Sequence, residues 1–174
     1  MSTALQVAKE QFLNHPDQEV YRNNFLAACM ADNEPEMLFR AAAAVLEQNQ
    51  IPSGKIQAFG IWLVEAIQKA AKSAGGAQGA KACVSGARFA SRVLELPTQM
   101  QGLLEQGYNF AQNDAFAKEA LEVLNETSDS QLHLQWIGRA YSEKDPAKTR
   151  AALAIAGAGA AQELGELGEA LFWA

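Results

Sequence analysis

A chain of 174 residues with 49% apolar side chains can bury a sizeable interior, as one ordinary domain or as two small repeats sharing a core. Its 20 acidic residues outweigh 14 basic ones, for a formal charge of −6, so no basic face for nucleic acid is expected. No window approaches the ~18 uninterrupted apolar residues of a membrane span, and strong helix formers (Ala, Leu, Glu, Gln, Lys) dominate with no alternating strand pattern, which predicts an all-α fold.

The first predicted helix covers residues 3 to 14, with Leu5, Ala8 and Phe12 on one face. Met1 to Phe12 carries Lys9 and Glu10 and no apolar core segment, so no secretory signal is expected and the location is read as cytoplasmic. His15-Pro16-Asp17 breaks this helix, and Asp17 can cap the next, which runs to about Ala31. An Ala-rich helix from Pro35 to Gln48 presents Met37, Leu38, Ala41, Ala44 and Val45. After the loop Gln50-Ile51-Pro52-Ser53, with Ser53 as its expected cap, a helix from Gly54 to about Ser73 carries the stripe Ile56, Phe59, Leu63, Ile67. Gly60 within it costs roughly 1 kcal/mol relative to Ala, which close approach of another helix would offset.

Ser73-Ala74-Gly75-Gly76 closes the first half. The following helix, about Ala77 to Leu94, repeats small residues at Gly79, Cys83, Gly86 and Ala90, and is therefore placed at the centre of the bundle. Glu95-Leu96-Pro97-Thr98 starts a helix with Met100, Leu103, Leu104, Gly107 and Phe110 inward. A turn at Gln112-Asn113-Asp114 leads to a helix from Ala115 to Asn125 with Phe116, Ala120, Leu121 and Leu124. Asn125-Glu126-Thr127 fits a glycosylation acceptor but is read as part of a polar turn, and Ser128 or Asp129 caps the next helix. The last helix, about Gln162 to Trp173, contains Gly165 and Gly168 and ends Leu171-Phe172-Trp173-Ala174; a segment this apolar should dock on its own core or on a partner.

One stretch occurs twice. From Phe25 to Pro35 each residue has a counterpart 111 positions later: Phe25 with Trp136, Leu26 with Ile137, Cys29 with Ala140, Met30 with Tyr141, Asp32 with Glu143, Glu34 with Asp145, Pro35 with Pro146. After one deleted residue, Arg40-Ala41-Ala42 matches Arg150-Ala151-Ala152, Ala44 matches Ala154 and Val45 matches Ile155. Each copy reads as helix, acidic turn, Ala-rich helix, loop, helix, ending at Trp62 and Trp173. The proline suits a first helical turn, where its missing N–H has no partner to lose; Asp145 is the expected cap of the second copy and Asn33 or Glu34 of the first. Arg40 and Arg150 are expected to pair with the acidic turn of their own hairpin.

Chemistry is thinly represented. Two isolated histidines, His15 and His133, and two cysteines, Cys29 and Cys83, lack metal-ligand spacing, and the cysteines read as reduced, buried thiols. Gly75-Gly76-Ala77-Gln78-Gly79-Ala80-Lys81 lacks the adjacent Gly-Lys-Ser/Thr of a phosphate loop, and Gly157-Ala158-Gly159 lacks a preceding strand. Glu166 and Glu169 read as a solvated helix face rather than an acid–base pair. Trp136 is assigned to the core, and Trp173 equally to core or interface.

The hairpin grammar is shared with tetratricopeptide repeats, but their Trp-Leu-Gly-Tyr spacing is missing and their period of about 34 residues is far from this repeat. The order Trp136-Ile137, Asp145-Pro146, Arg150-Ala151-Ala152, then Ala170-Leu171-Phe172-Trp173 resembles an uncharacterised bacterial all-helical domain family whose members can lie beside type VI secretion genes. The resemblance implies a helical fold and a secretion-system component as partner, and no catalytic residues.

The expected architecture is a single all-helical domain over 1–174: a compact array or bundle of about nine or ten helices, with an internally duplicated unit at about 20–66 and 131–174. The expected function is that of a non-enzymatic interaction protein (adaptor, accessory factor or chaperone) with no cofactor and no metal, binding another protein or a second copy of itself. Trp62, Leu171, Phe172 and Trp173 are the candidate partner-binding residues. Two alternatives stand beside it: an immunity or antitoxin-like protein neutralising a basic partner, and an enzyme or small-ligand carrier with a pocket between helices.

Overall fold

The computed structural model describes residues 2–92, 94–125, 127 and 129–173, apart from the side chain of Leu167. Glu126, Ser128 and Ala174, named above, lie outside the described residues. The all-α class is observed: ten α-helices and one 3₁₀ turn, with no strand among the described residues. The helices are α1 (Thr3–Asn14), α2 (Glu19–Ala31), α3 (Glu36–Glu47), α4 (Ile56–Ala74), α5 (Gly76–Arg92), α6 (Pro97–Ala111), α7 (Asp114–Leu124), α8 (Ser130–Ala140), α9 (Ala147–Glu163) and α10 (Leu167–Trp173), with the 3₁₀ turn at Ser53–Lys55 before α4. Where the sequence drew no boundary within 1–174, contacts gather the chain into two compact units, Met1–Ala111 and Gln112–Ala174.

In the first unit every helix packs on its successor, and α1, α2, α3 and α4 each also reach the next but one. This double neighbourhood makes a deep interior. Phe12, Phe25 and Phe59 are all but fully buried, Phe12 stacking on Phe25 at 5.0 Å and on Phe59 at 6.3 Å between ring centres. Each such side chain contributes about 1.5–3 kcal/mol by leaving water. The small-residue helix α5 takes the central place expected of it, against α3, α4 and α6, with Gly79, Cys83, Gly86 and Ala90 buried. A Cβ on Gly79 would stand 2.5 Å from the carbonyl oxygen of Ala71, so backbone meets backbone there and only glycine fits, while one on Gly86 would stand 3.0 Å from the side chain of Ile67. Gly60 faces the side chain of Leu94 rather than another helix backbone, with 3.0 Å available to a Cβ.

Three helix ends share one geometry. Asn33 (φ 57°), Asn49 (φ 52°) and Gly165 (φ 74°) take the left-handed conformation just past α2, α3 and α9. In each, the following amide reaches back to the last turn: Glu34 N–H to Cys29 O, Gln50 N–H to Val45 O and Glu166 N–H to Ala161 O. These are Schellman closures, which satisfy carbonyls the helix leaves open. Gly165 therefore ends α9 and separates it from α10, where the sequence reading ran one helix from Gln162 to Trp173.

Several expected caps differ. Asp129 caps α8 as expected, its carboxylate accepting from Leu132 N–H at 3.0 Å. Asp17 does not cap α2 but faces Lys55 at 3.9 Å. Ser53 opens the 3₁₀ turn rather than capping α4. Neither Asn33 nor Asp145 caps its Ala-rich helix: Pro35 and Pro146 occupy those positions, without a side-chain hydrogen bond. Ile56, expected in the core stripe of α4, is 38% exposed because it sits in the first turn, before the helix enters the core at Phe59.

The second unit is built differently. Among the described residues α7 packs on α8, α8 on α9 and α9 on α10, with no contact between alternate helices. Trp136 is fully buried as expected, with Phe116 at 6.3 Å and the Arg139 guanidinium 4.6 Å from its ring centre.

Candidate functional site: the apolar face of the last two helices

The helix α9 has the sequence AKTRAALAIAGAGAAQE, apolar on every side of its second, third and fourth turns. Such a helix ordinarily lies inside a protein, covered all round. Among the described residues only α8 and α10 pack on it, and only Gly157, Ala160 and Ala161 of it are buried. Ala151, Ala152, Ile155, Ala156 and Gly159 are left exposed. Their spacing of three and four residues puts them on one side of the helix, and Ile155 at the middle is 74% exposed.

The entry to α9 is held by charge. Lys118 of α7 contacts the Asp145 carboxylate at 2.7 Å and that of Asp114 at 3.0 Å. Asp145, and then Asp114, hold the Lys118 ammonium above its ordinary pKa. The hydrogen bond from Lys118 holds the Asp114 carboxyl below the usual range. Asp145 thus fixes the α8–α9 turn by an ion pair instead of by capping.

The short helix α10 is anchored by one residue and open at two. Trp173 lies against Gly157 of α9, where a Cβ would fall 2.7 Å from its ring, and it meets Tyr141 edge-on at 5.5 Å. Leu171 and Phe172, by contrast, are 78% and 77% exposed. A groove of about 570 Å³ runs along α9 beside Trp173, lined by Ala151, Ala154, Ile155, Ala158, Gly159 and Gln162. Exposed apolar side chains elsewhere, such as Val7 and Val20, stand on separate helices of the first unit.

The sequence candidates divide between the units. Leu171, Phe172 and Trp173 belong to this face. Trp62 belongs to the first unit, half-buried between Phe12 at 5.9 Å and Phe59 at 5.5 Å, with the Arg22 guanidinium 5.2 Å over its ring. It extends the first unit's aromatic core. Ile155, which the sequence matches to Val45 without assigning it to a site, is the exposed residue missing from the sequence candidates. No periodicity marks it, because α9 is apolar at almost every position.

The remaining polar groups are held in structural roles. Cys29 and Cys83 are free and buried. Both thiols are pushed up to about 12, by burial and, for Cys29, additionally by the carboxylates of Glu34 and Asp32. A thiol that holds its proton at neutral pH is a poor nucleophile. His15 stacks on Tyr21 at 5.2 Å, and His133 Nδ1 lies 2.9 Å from the carbonyl oxygen of Asp129. Arg40 pairs with Glu36 one turn earlier on its own helix (3.1 Å), not with the acidic turn, and Lys81 joins the same carboxylate at 3.1 Å. The acidic turn is tied down instead by Gln78, whose side chain both accepts from and donates to Asn33. Backbone and hydroxyl donors of Ser2 hold the Asp32 carboxyl below its usual range. A second groove, about 490 Å³, lies between α4 and α6 with Glu65, Lys69, Lys72 and Phe110 on its walls. Among the described residues no three His, Cys, Asp or Glu side chains are placed to hold a metal ion, and no helix is long and apolar enough to cross a membrane.

No protein-family model, no curated protein and no solved structure matches this chain.

Proposed function

We propose that this chain is a non-enzymatic interaction protein, an adaptor, accessory factor or chaperone, that engages another protein through α10. The observation that carries this reading is the pair Leu171 and Phe172, exposed at 78% and 77% on a helix that Trp173 pins to α9. Two adjacent large apolar side chains in water gain by burying their area against an apolar partner surface. The test is affinity purification of a partner followed by titration of the purified pair. Leu171→Asp with Phe172→Asp is expected to weaken binding at least about tenfold, roughly 1.4 kcal/mol, with an unchanged circular dichroism spectrum. A partner held as tightly by the double variant as by the parent chain would refute the reading.

A further inference from the structure

We propose that the exposed face of α9 pairs with the same face of a second copy of this chain, the two helices running antiparallel about a twofold axis beside Ile155. The face carries its own complement. Lys148, Ala152, Ile155, Gly159 and Glu163 follow one another at steps of three and four along it, and all five are exposed. The cation lies about two turns before Ile155 and the carboxylate about two turns after it. Laid antiparallel on itself, the helix sets Lys148 opposite the partner's Glu163 at both ends. A parallel arrangement would set Lys148 against Lys148 and Glu163 against Glu163. Glu143 and Lys144, exposed on the preceding turn, cancel each other. The Glu163 carboxylate accepts from the Ser130 hydroxyl, which holds it in place and leaves it acceptor capacity for a lysine.

Shape agrees with charge. Ile155 is a projecting side chain, and beside it runs the groove floored by Ala151, Ala154, Ala158 and Gly159. A knob next to a hole on one face is self-complementary under a twofold rotation, each Ile155 entering the other copy's groove as in knobs-into-holes packing. A single helix pair is a small interface, so the dimer is expected to dissociate on dilution. The pairing goes beyond the reading of α10 and does not rest on it: Leu171 and Phe172 lie outside the groove, which α10 meets through Trp173.

Sedimentation equilibrium and light scattering on the full chain, from about micromolar to about millimolar concentration, test it. The mass is expected to rise from that of one chain toward that of two. Ile155→Glu, and the uncharged Ile155→Gln, should remain at one chain throughout. Lys148→Glu alone and Glu163→Lys alone should each weaken association about tenfold or more, and an equimolar mixture of the two should regain it; a parallel pair, which already opposes like charges in the parent, would lose nothing in either single variant. Leu171→Asp with Phe172→Asp should pair like the parent. Circular dichroism confirms that each variant stays helical. A parent chain that stays monomeric, an Ile155 variant that still dimerises, a mixture no better than its components, or loss of pairing in the α10 double variant would each overturn the proposal.

Discussion

The hairpins α2–α3 and α8–α9 carry matching turn sequences, and their first helices behave alike. Phe25 and Trp136 are both fully buried, as are Cys29 and Ala140, while Met30 and Tyr141 are exposed to 37% and 36%. Their second helices do not. Ala41, Ala42 and Val45 point into the core of the first unit, whereas their counterparts Ala151, Ala152 and Ile155 face water. Two causes act together. The backbone leaves α2 through a left-handed Asn33 into a helical Pro35 (ψ −29°), but leaves α8 through an extended Tyr141 into an extended Pro146 (ψ 142°), so the following helices start in different orientations. And among the described residues α3 has four neighbours, α1, α2, α4 and α5, while α9 has two, α8 and α10. Similar residues therefore make a core in one place and a surface in the other.

The sharpest way to break this comparison is the same change at matched positions. Val45→Asp buries an unpaired carboxylate and should cost about 3 kcal/mol or more, whereas Ile155→Asp should stay within about 0.5 kcal/mol in the monomer. Urea unfolding at low protein concentration reads both, and similar losses would mean that α9 is covered after all. Glycine should follow the same contrast with smaller effects. Gly79→Ala drives a methyl into the Ala71 backbone and should destabilise by about 1–3 kcal/mol. Gly159→Ala, with open space around it, should stabilise by up to about 1 kcal/mol through helix propensity.

Alkaline pH bears on the buried thiols of the first unit. Its two buried thiols keep their protons to about pH 12 when folded and release them near 9 when unfolded, so stability should fall as pH rises from 9 towards 12, by about 1.4 kcal/mol per unit for each thiol. Cys83→Ala should flatten that slope, whatever it does to stability at neutral pH, and neither thiol should react with a disulfide reagent until the unit unfolds. The smallest effect belongs to the second unit. Lys118→Met removes the cation that lowers the Asp114 carboxyl, so the stability that this carboxylate adds above its unfolded pKa, and loses as pH falls, should shrink. Acid titration followed by circular dichroism would show a shallower transition, and an unchanged one would mean that the exposed pair is fully screened.

Half of the candidate site could be read in advance. Leu171 and Phe172 were legible as part of an apolar segment needing cover, because the run Leu171-Phe172-Trp173 is conspicuous wherever its helix packs. Ile155 and its groove were not, because the burial of an apolar residue on a helix that is apolar all round depends on which neighbours arrive. Trp62 was legible as the tryptophan that ends the first copy of the repeat, but its place beside Phe12, Phe59 and Arg22 joins side chains from three helices.

The order of residues alone determined that this chain is helical, roughly where its helices lie, and that α5 could stand where backbones meet, since propensity, periodicity and glycine spacing act within a few turns of chain. Tertiary structure decided that the chain makes two units, that the first packs each helix against two rows of neighbours and the second against one, and that α9 keeps an apolar face in water. Those outcomes rest on turn backbones and on contacts between residues far apart in sequence, which no local pattern encodes.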